Sequence, residues 1–280
     1  MKNLIMMKKI ALFSISMLCI WTLNANYTIA GHTSPNIDIN KEFKNARELY
    51  DRRENRESLK SAIEIYQNVL RQIPDNSENC NKKKAEVLIE LSRCYFKMAE
   101  YHATCNDEKA AWFEMGEAYG REAISLDPQN VGGYYWMAQN LGKHGSISKL
   151  YFLNKKSDFE EALRKAETLD NPQKPYDYSG INRTLAAYYT PRFMWGNLDK
   201  ALEYAKKMED SPRYLNNLSV LADLYWKNEF LRINKDQCES GTRECKKKHS
   251  KYRASKRNHS MGGSRMAFFV SKGFDVKYAS

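Results

Sequence analysis

The stretch SAIEIYQNVLRQIP, residues 61–74, decides the fold. Ala62, Tyr66 and Val69 stand four and three residues apart, and Pro74 follows five later. Steps of three and four place these side chains on one face of a helix, and a proline just past that face ends it. The tail of this pattern returns at Ala123, Leu126, Asp127 and Pro128. Gly196 stands five residues before a third copy, Ala201, Ala205 and Met208, with Pro212 just beyond. Companion helices repeat as well: Leu88, Leu91 and Tyr95 share their spacing with Leu218, Leu221 and Tyr225.

A helical hairpin that recurs in this way resembles the tetratricopeptide repeat, a helix-turn-helix unit of about 34 residues. One hairpin has an apolar stripe on each helix and cannot bury both alone. Neighbouring hairpins therefore stack into a right-handed solenoid with a concave inner face. The spacing predicts helix pairs at 41–53 with 55–73, 82–104 with 107–126, 131–143 with 157–169 and 179–190 with 197–209, and a further helix from Arg213. No segment alternates with period two. The expected fold is all-α, a tetratricopeptide-like hairpin solenoid of about four and a half repeats, occupying residues 31–234. Between the paired helices of the third repeat, Ser146 to Lys156 reads as an insertion carrying Leu150, Tyr151, Phe152 and Leu153.

Composition sets outer bounds. The chain has 280 residues, 42% of them hydrophobic and 28% charged, which argues against a multi-span membrane protein. Its 12% aromatic content and seven prolines argue against disorder. The net charge of +11 sits at the two ends: residues 10–234 carry thirty basic and thirty acidic side chains. Net charge on the folded body gives no pointer to nucleic acid. Residues 235–280 hold twelve Lys and Arg against four Asp and Glu, and read as a basic, disordered tail able to meet an anionic membrane by charge. At the other end Lys8 and Lys9 precede an apolar run, Ile10 to Leu23, with small residues at Ala25 and Ala30. That is the pattern of a signal peptide over residues 1–30, with an uncleaved anchor, or lipidation at Cys19, as the alternatives. The expected location is the periplasm or the outer face of the cell envelope. Five cysteines remain after the signal: Cys94 reads as a buried core residue, and Cys80 and Cys105 as loop residues flanking one helix.

The segment Asp127-Pro128, then Gly133-Tyr134-Tyr135-Trp136 with Ala138, Asn140, Leu141, Gly142 and Gly145, resembles the signature of the T component (TatT family) of tripartite ATP-independent periplasmic (TRAP) transporters. The likeness continues through Gly180, Arg183, Leu185, Ala186, Tyr189 and Pro191, then Gly196, Asp199, Ala201, Leu202 and Tyr204. This resemblance implies an exported helical-repeat protein that binds the transporter's solute-binding subunit, with homo-oligomers and an apolar small-molecule ligand as further implications.

Catalytic and metal motifs are sparse. Gly142-Lys143 lacks the rest of a phosphate loop, and neither HExxH nor GxSxG is present. His144, the one histidine near the distinctive motif, reads as a helix-end residue facing carbonyls or solvent. Cys238, Cys245, His249 and His259 have zinc-binding side chains at spacings unlike those of a finger. The expectation is a non-enzymatic binding subunit without cofactor, metal or nucleic acid. Three consecutive aromatics, Tyr134, Tyr135 and Trp136, cannot all face one core on a helix of about 100° per residue. Trp112 and Phe113 repeat the situation on the preceding helix. These five, with Asn140 and Lys143 to orient a polar end, are the candidate binding residues. A general cell-envelope interaction scaffold without a transporter is the alternative reading.

Overall fold

The computed structural model describes residues 38–74, 77–190, 196–209 and 216–225. The expected signal peptide and basic tail lie outside these, as do Cys19, Cys238, Cys245, His249 and His259. The chain divides into two units, Met1–Ile39 and Asn40–Ser280, and the helices belong to the second apart from the first residue of α1. They are α1 (Ile39–Asp51), α2 (Arg56–Gln72), α3 (Glu78–Tyr101), α4 (Asn106–Leu126), α5 (Val131–Ile147), α6 (Lys149–Leu169), α7 (Gly180–Tyr189), α8 (Leu198–Glu209) and α9 (216–225). No strand occurs among the described residues.

Local chemistry explains the boundaries. Asn55 caps α2 by accepting a hydrogen bond from the Ser58 amide at 3.0 Å, and Ser77 caps α3 from the Cys80 amide at 3.2 Å. Asn130 does the same for α5 at 3.0 Å, which starts a helix despite the two glycines that follow. On α2 the buried residues are Leu59, Ala62, Ile63, Tyr66 and Val69, the face defined by the repeat, and the helix stops two residues before Pro74. Cys94 is buried and free, as expected, whereas Cys80 belongs to the first turn of α3 instead of a loop.

Consecutive helices pair, and each pair leans on the next. Phe43 of α1 meets Tyr66 of α2 edge-on at 5.3 Å between ring centres. The pairs α3–α4, α5–α6 and α7–α8 pack closely, and α4 packs on α5 to join successive hairpins. The first helices also touch across repeats, α3 on α5 and α5 on α7. Four hairpins followed by α9 give the tetratricopeptide-like array of about four and a half repeats. The main core runs from Leu88 and Phe96 through Phe113, Trp136 and Leu141 to Phe159 and Leu163. A smaller one holds Ala186, Ala201, Ala205, Met208, Leu221 and Leu224, so the third copy of the repeat packs as its spacing requires.

The insertion expected at Ser146–Lys156 is helix. α5 continues to Ile147, and Ser148 alone separates it from α6. Its hydroxyl accepts a hydrogen bond from the Tyr151 amide at 3.3 Å, so one residue ends one helix and starts the next. The aromatic residues of this segment pack, Phe152 meeting Phe159 at 5.4 Å and Tyr151 lying against His144, whereas Leu150 and Leu153 are exposed. No helix among the described residues is long and apolar enough to cross a membrane.

Candidate functional site: the face of the first helices

Glu90, Arg93, Lys97 and Glu100 follow one another on α3 at steps of three, four and three, a single stripe beside the apolar one. α1 supplies its near edge. Arg47 donates to Glu90 at 3.1 Å, and Arg93 donates to the same carboxylate at 3.4 Å. The Arg93 guanidinium lies 4.2 Å from the centre of the Tyr50 ring, and Arg53 approaches that ring at 5.0 Å. α5 supplies the far edge, with Arg93 5.6 Å from the Trp136 ring and Lys143 paired to Glu100 at 2.7 Å. Lys97 lies 5.4 Å from the Phe96 ring and 5.1 Å from that of Tyr101. Burial lowers the Lys97 pKa, and repulsion from Arg53 and Arg93 adds to the lowering against an opposing contribution from Tyr101. Burial likewise pushes the Tyr50 hydroxyl well above the usual phenol range.

The row continues toward the later repeats through a built polar network. The Tyr135 hydroxyl donates to Asp177 at 2.6 Å, and Arg183 donates to the same carboxylate at 2.7 Å and to the Tyr135 oxygen at 3.0 Å. Arg183 also donates to the Asn217 side-chain Oδ1 at 2.7 Å. This network fixes the turn before α7, where Asp177, Tyr178 and Ser179 all adopt positive φ (48°, 53° and 63°). Left-handed backbone at three non-glycine residues is unfavourable, and the Asn217 amide bonding the Tyr178 carbonyl at 2.8 Å helps hold it. Gly180 is needed here: a Cβ would come within 2.6 Å of the Tyr135 oxygen. Tyr176, from the same turn, accepts a hydrogen bond from the Trp136 indole at 3.2 Å, and burial pushes its hydroxyl up to about 12.

The seven sequence-predicted residues fall into two groups. Phe113, Tyr135, Trp136 and Asn140 are buried, while Trp112, Tyr134 and Lys143 are partly exposed. Trp112 carries the Arg56 guanidinium at 5.5 Å. Asn140 is fully enclosed. Its amide nitrogen donates to the Trp136 carbonyl at 2.8 Å and to Ser92 at 3.2 Å, and its side chain lies directly against Gly116, where a Cβ would overlap it. It thus pins α5 to α3 and α4 and has no open edge to offer a ligand. His144 is a correction of a different kind: it is buried, stacked on Tyr151 at 3.6 Å, and its pKa is lowered by burial against the opposing charges of Glu114 and Glu117.

Sequence reasoning passed over Tyr50, Arg53, Glu90, Arg93 and Lys97. The available signal was the charged stripe at 90, 93, 97 and 100, running next to Leu88, Leu91 and Tyr95. Among the described residues no group of three or more His, Cys, Asp or Glu side chains is arranged to hold a metal.

A family model described as "Regulator of microtubule dynamics protein 1-3" matches residues 43–179, a span that runs from α1 to the turn before α7. No curated protein matches the chain. Among solved structures, a thermophilic TPR protein from Thermus thermophilus is similar over 67% of this chain and 99% of its own, at 15% identity and a TM-score of 0.38.

Proposed function

We propose that the chain is a non-catalytic protein-interaction scaffold whose contact surface is the face of its first helices. One observation carries this reading: Arg93 of α3 lies between two rings from the neighbouring first helices, Tyr50 of α1 and Trp136 of α5. A continuous row of half-buried cations, backed by the buried rings of Tyr50, Phe96 and Trp136, offers a partner segment charges on which to anchor. The same hairpin array serves many binding roles, so the partner has to be argued from the site.

Two narrower readings name a partner. The likeness of residues 127–204 to the TRAP T component supports docking of a periplasmic solute-binding protein, with a further apolar ligand, and the lysine-led apolar run at 8–23 supports export. The match of residues 43–179 to a model named for regulators of microtubule dynamics supports a cytoskeletal role instead. A photo-crosslinking amino acid placed at Tyr101, beside Lys97, and separately at Glu161, exposed on α6, tests the scaffold and sorts the partners. The expected result, in cells of the source organism, is one dominant crosslinked protein from position 101 and none from 161. A solute-binding protein there supports the first reading, and tubulin the second. Equal crosslinking from both positions contradicts the assignment of the face.

A further inference from the structure

Cations outnumber carboxylates on this face, although residues 10–234 as a whole carry equal numbers of basic and acidic side chains. Arg47 and Arg93 share the Glu90 carboxylate, and Glu100, at the other end of the stripe, is taken by Lys143 and Lys109. Among the described residues, Arg53 and Lys97 have no carboxylate within ion-pair distance. The Nε atoms of Arg53 and Arg93 and the Tyr50 hydroxyl are buried and without a hydrogen-bond partner among those residues. Half-burying cations without a counter-charge costs stability, and rings at 4.2 to 5.4 Å compensate it only in part.

We propose that the groove over α3, between α1 and α5, binds an acidic segment of a partner protein, with Arg53, Arg93 and Lys97 holding its carboxylates. This rests on the scaffold reading and gives its partner a chemistry. Net charge favours a partner's segment over the ends of this chain as the occupant: residues 235–280 carry twelve basic and four acidic side chains, and residues 31–37 contain no acid. Glu90 and Glu100 close the stripe at its ends, about 15 Å apart at 1.5 Å per helical residue. A continuous polyanion would meet a carboxylate at either end. A pair of acidic residues within about four extended residues, at roughly 3.3 Å each, fits between them.

Fluorescence polarisation with the full chain tests this, using a labelled dodecapeptide with a central Asp-Glu pair among neutral residues, its Asn-Gln counterpart, and a single-stranded DNA oligonucleotide. The acidic peptide is expected to bind at least about tenfold more tightly than the Asn-Gln peptide. Lys97→Met and Arg53→Gln are each expected to weaken it about tenfold, and Lys97→Arg to retain it. Replacing Lys246, Lys247 and Lys248 by Gln should leave binding unchanged. Circular dichroism melts of each variant separate lost binding from lost folding. The proposal is overturned if the acidic peptide does not bind, if Lys97→Met binds as the parent does, if the tail substitutions abolish binding, or if the oligonucleotide displaces the peptide through the same residues. Should a partner still crosslink at position 101 while the Asn-Gln peptide competes equally, the acidic assignment fails and the scaffold reading stands. Absence of any crosslink at position 101 removes the scaffold reading first.

Discussion

Two polar clusters, one on each side of the array, differ in how completely they are satisfied. On the second-helix side, Glu117 of α4 is nearly buried and accepts from the Tyr151 hydroxyl, from Arg121 at 2.9 Å and from Lys155 at 3.5 Å. Asp158 takes the other side of Arg121 at 2.6 Å, so two acids face two bases. On the first-helix side Arg47 and Arg93 share Glu90, Arg53 and Lys97 have no carboxylate within ion-pair distance among the described residues, and three polar atoms there have no hydrogen-bond partner among those residues. A balanced, saturated cluster is what a buried structural joint requires, since each unpaired group there carries its full desolvation cost. An unbalanced and unsaturated one is held in place by the stability of the rest of the fold, and the acidic segment proposed above would complete it.

Substitutions sharpen the contrast, beginning where the packing is tightest. Gly116→Ala forces a methyl into Asn140, which already ties three helices together, and should lower unfolding stability by about 3 kcal/mol in urea. A loss under about 0.5 kcal/mol would show that Asn140 has room to move. Glu117→Ala strands the Tyr151 hydroxyl and leaves Arg121 and Lys155 with Asp158 as their one remaining acid; a loss of about 2 kcal/mol is expected, with Arg121 and Lys155 partly screened by water. Binding at the opposite face should survive that change in the fraction that remains folded. Tyr135→Phe removes one donor from a network that keeps its Arg183–Asp177 pair, for a loss of about 1 kcal/mol.

The smallest expected effect is a pH dependence. Burial lowers the His144 pKa below its ordinary 6.5, so the folded state holds the neutral ring while the unfolded chain takes up a proton. The stability contributed by this neutral state is fully present above 6.5 and declines as pH falls below it. Thermal melts at pH 7.5 and pH 5.5 should therefore diverge more for the parent than for His144→Phe, which also keeps the stack on Tyr151. Equal divergence would assign the pH dependence to other groups.

The repeat was legible because steps of three and four between Ala62, Tyr66 and Val69 report which face must be dry, and the same face is dry in the fold. The third repeat was misread because Ser148 does two jobs in one residue, and no proline or glycine cluster marks so short a turn. At the site, aromatic density at 134–136 drew attention to residues that mostly build the core. Consecutive aromatics report bulk, whereas exposure depends on which neighbours close over them: Tyr176 and Asp177, forty residues on, cover Trp136 and Tyr135. The charged stripe on α3 was present in the sequence, but its imbalance appears only when Arg47 of α1 and Arg53 of the turn after it arrive beside it. Long-range neighbours of this kind leave no local spacing to read.

The measurement that bears most directly on the account is the thermal midpoint of Lys97→Met against the parent. If the ammonium is held on the first-helix face for binding, its removal relieves the cost of burying it and the repulsion from Arg53 and Arg93, against the loss of its hydrogen bond to Tyr101, and keeps the apolar stem, so the midpoint should stay level or rise. A midpoint several degrees lower would make Lys97 a structural residue and contradict the assignment of this face as the contact surface.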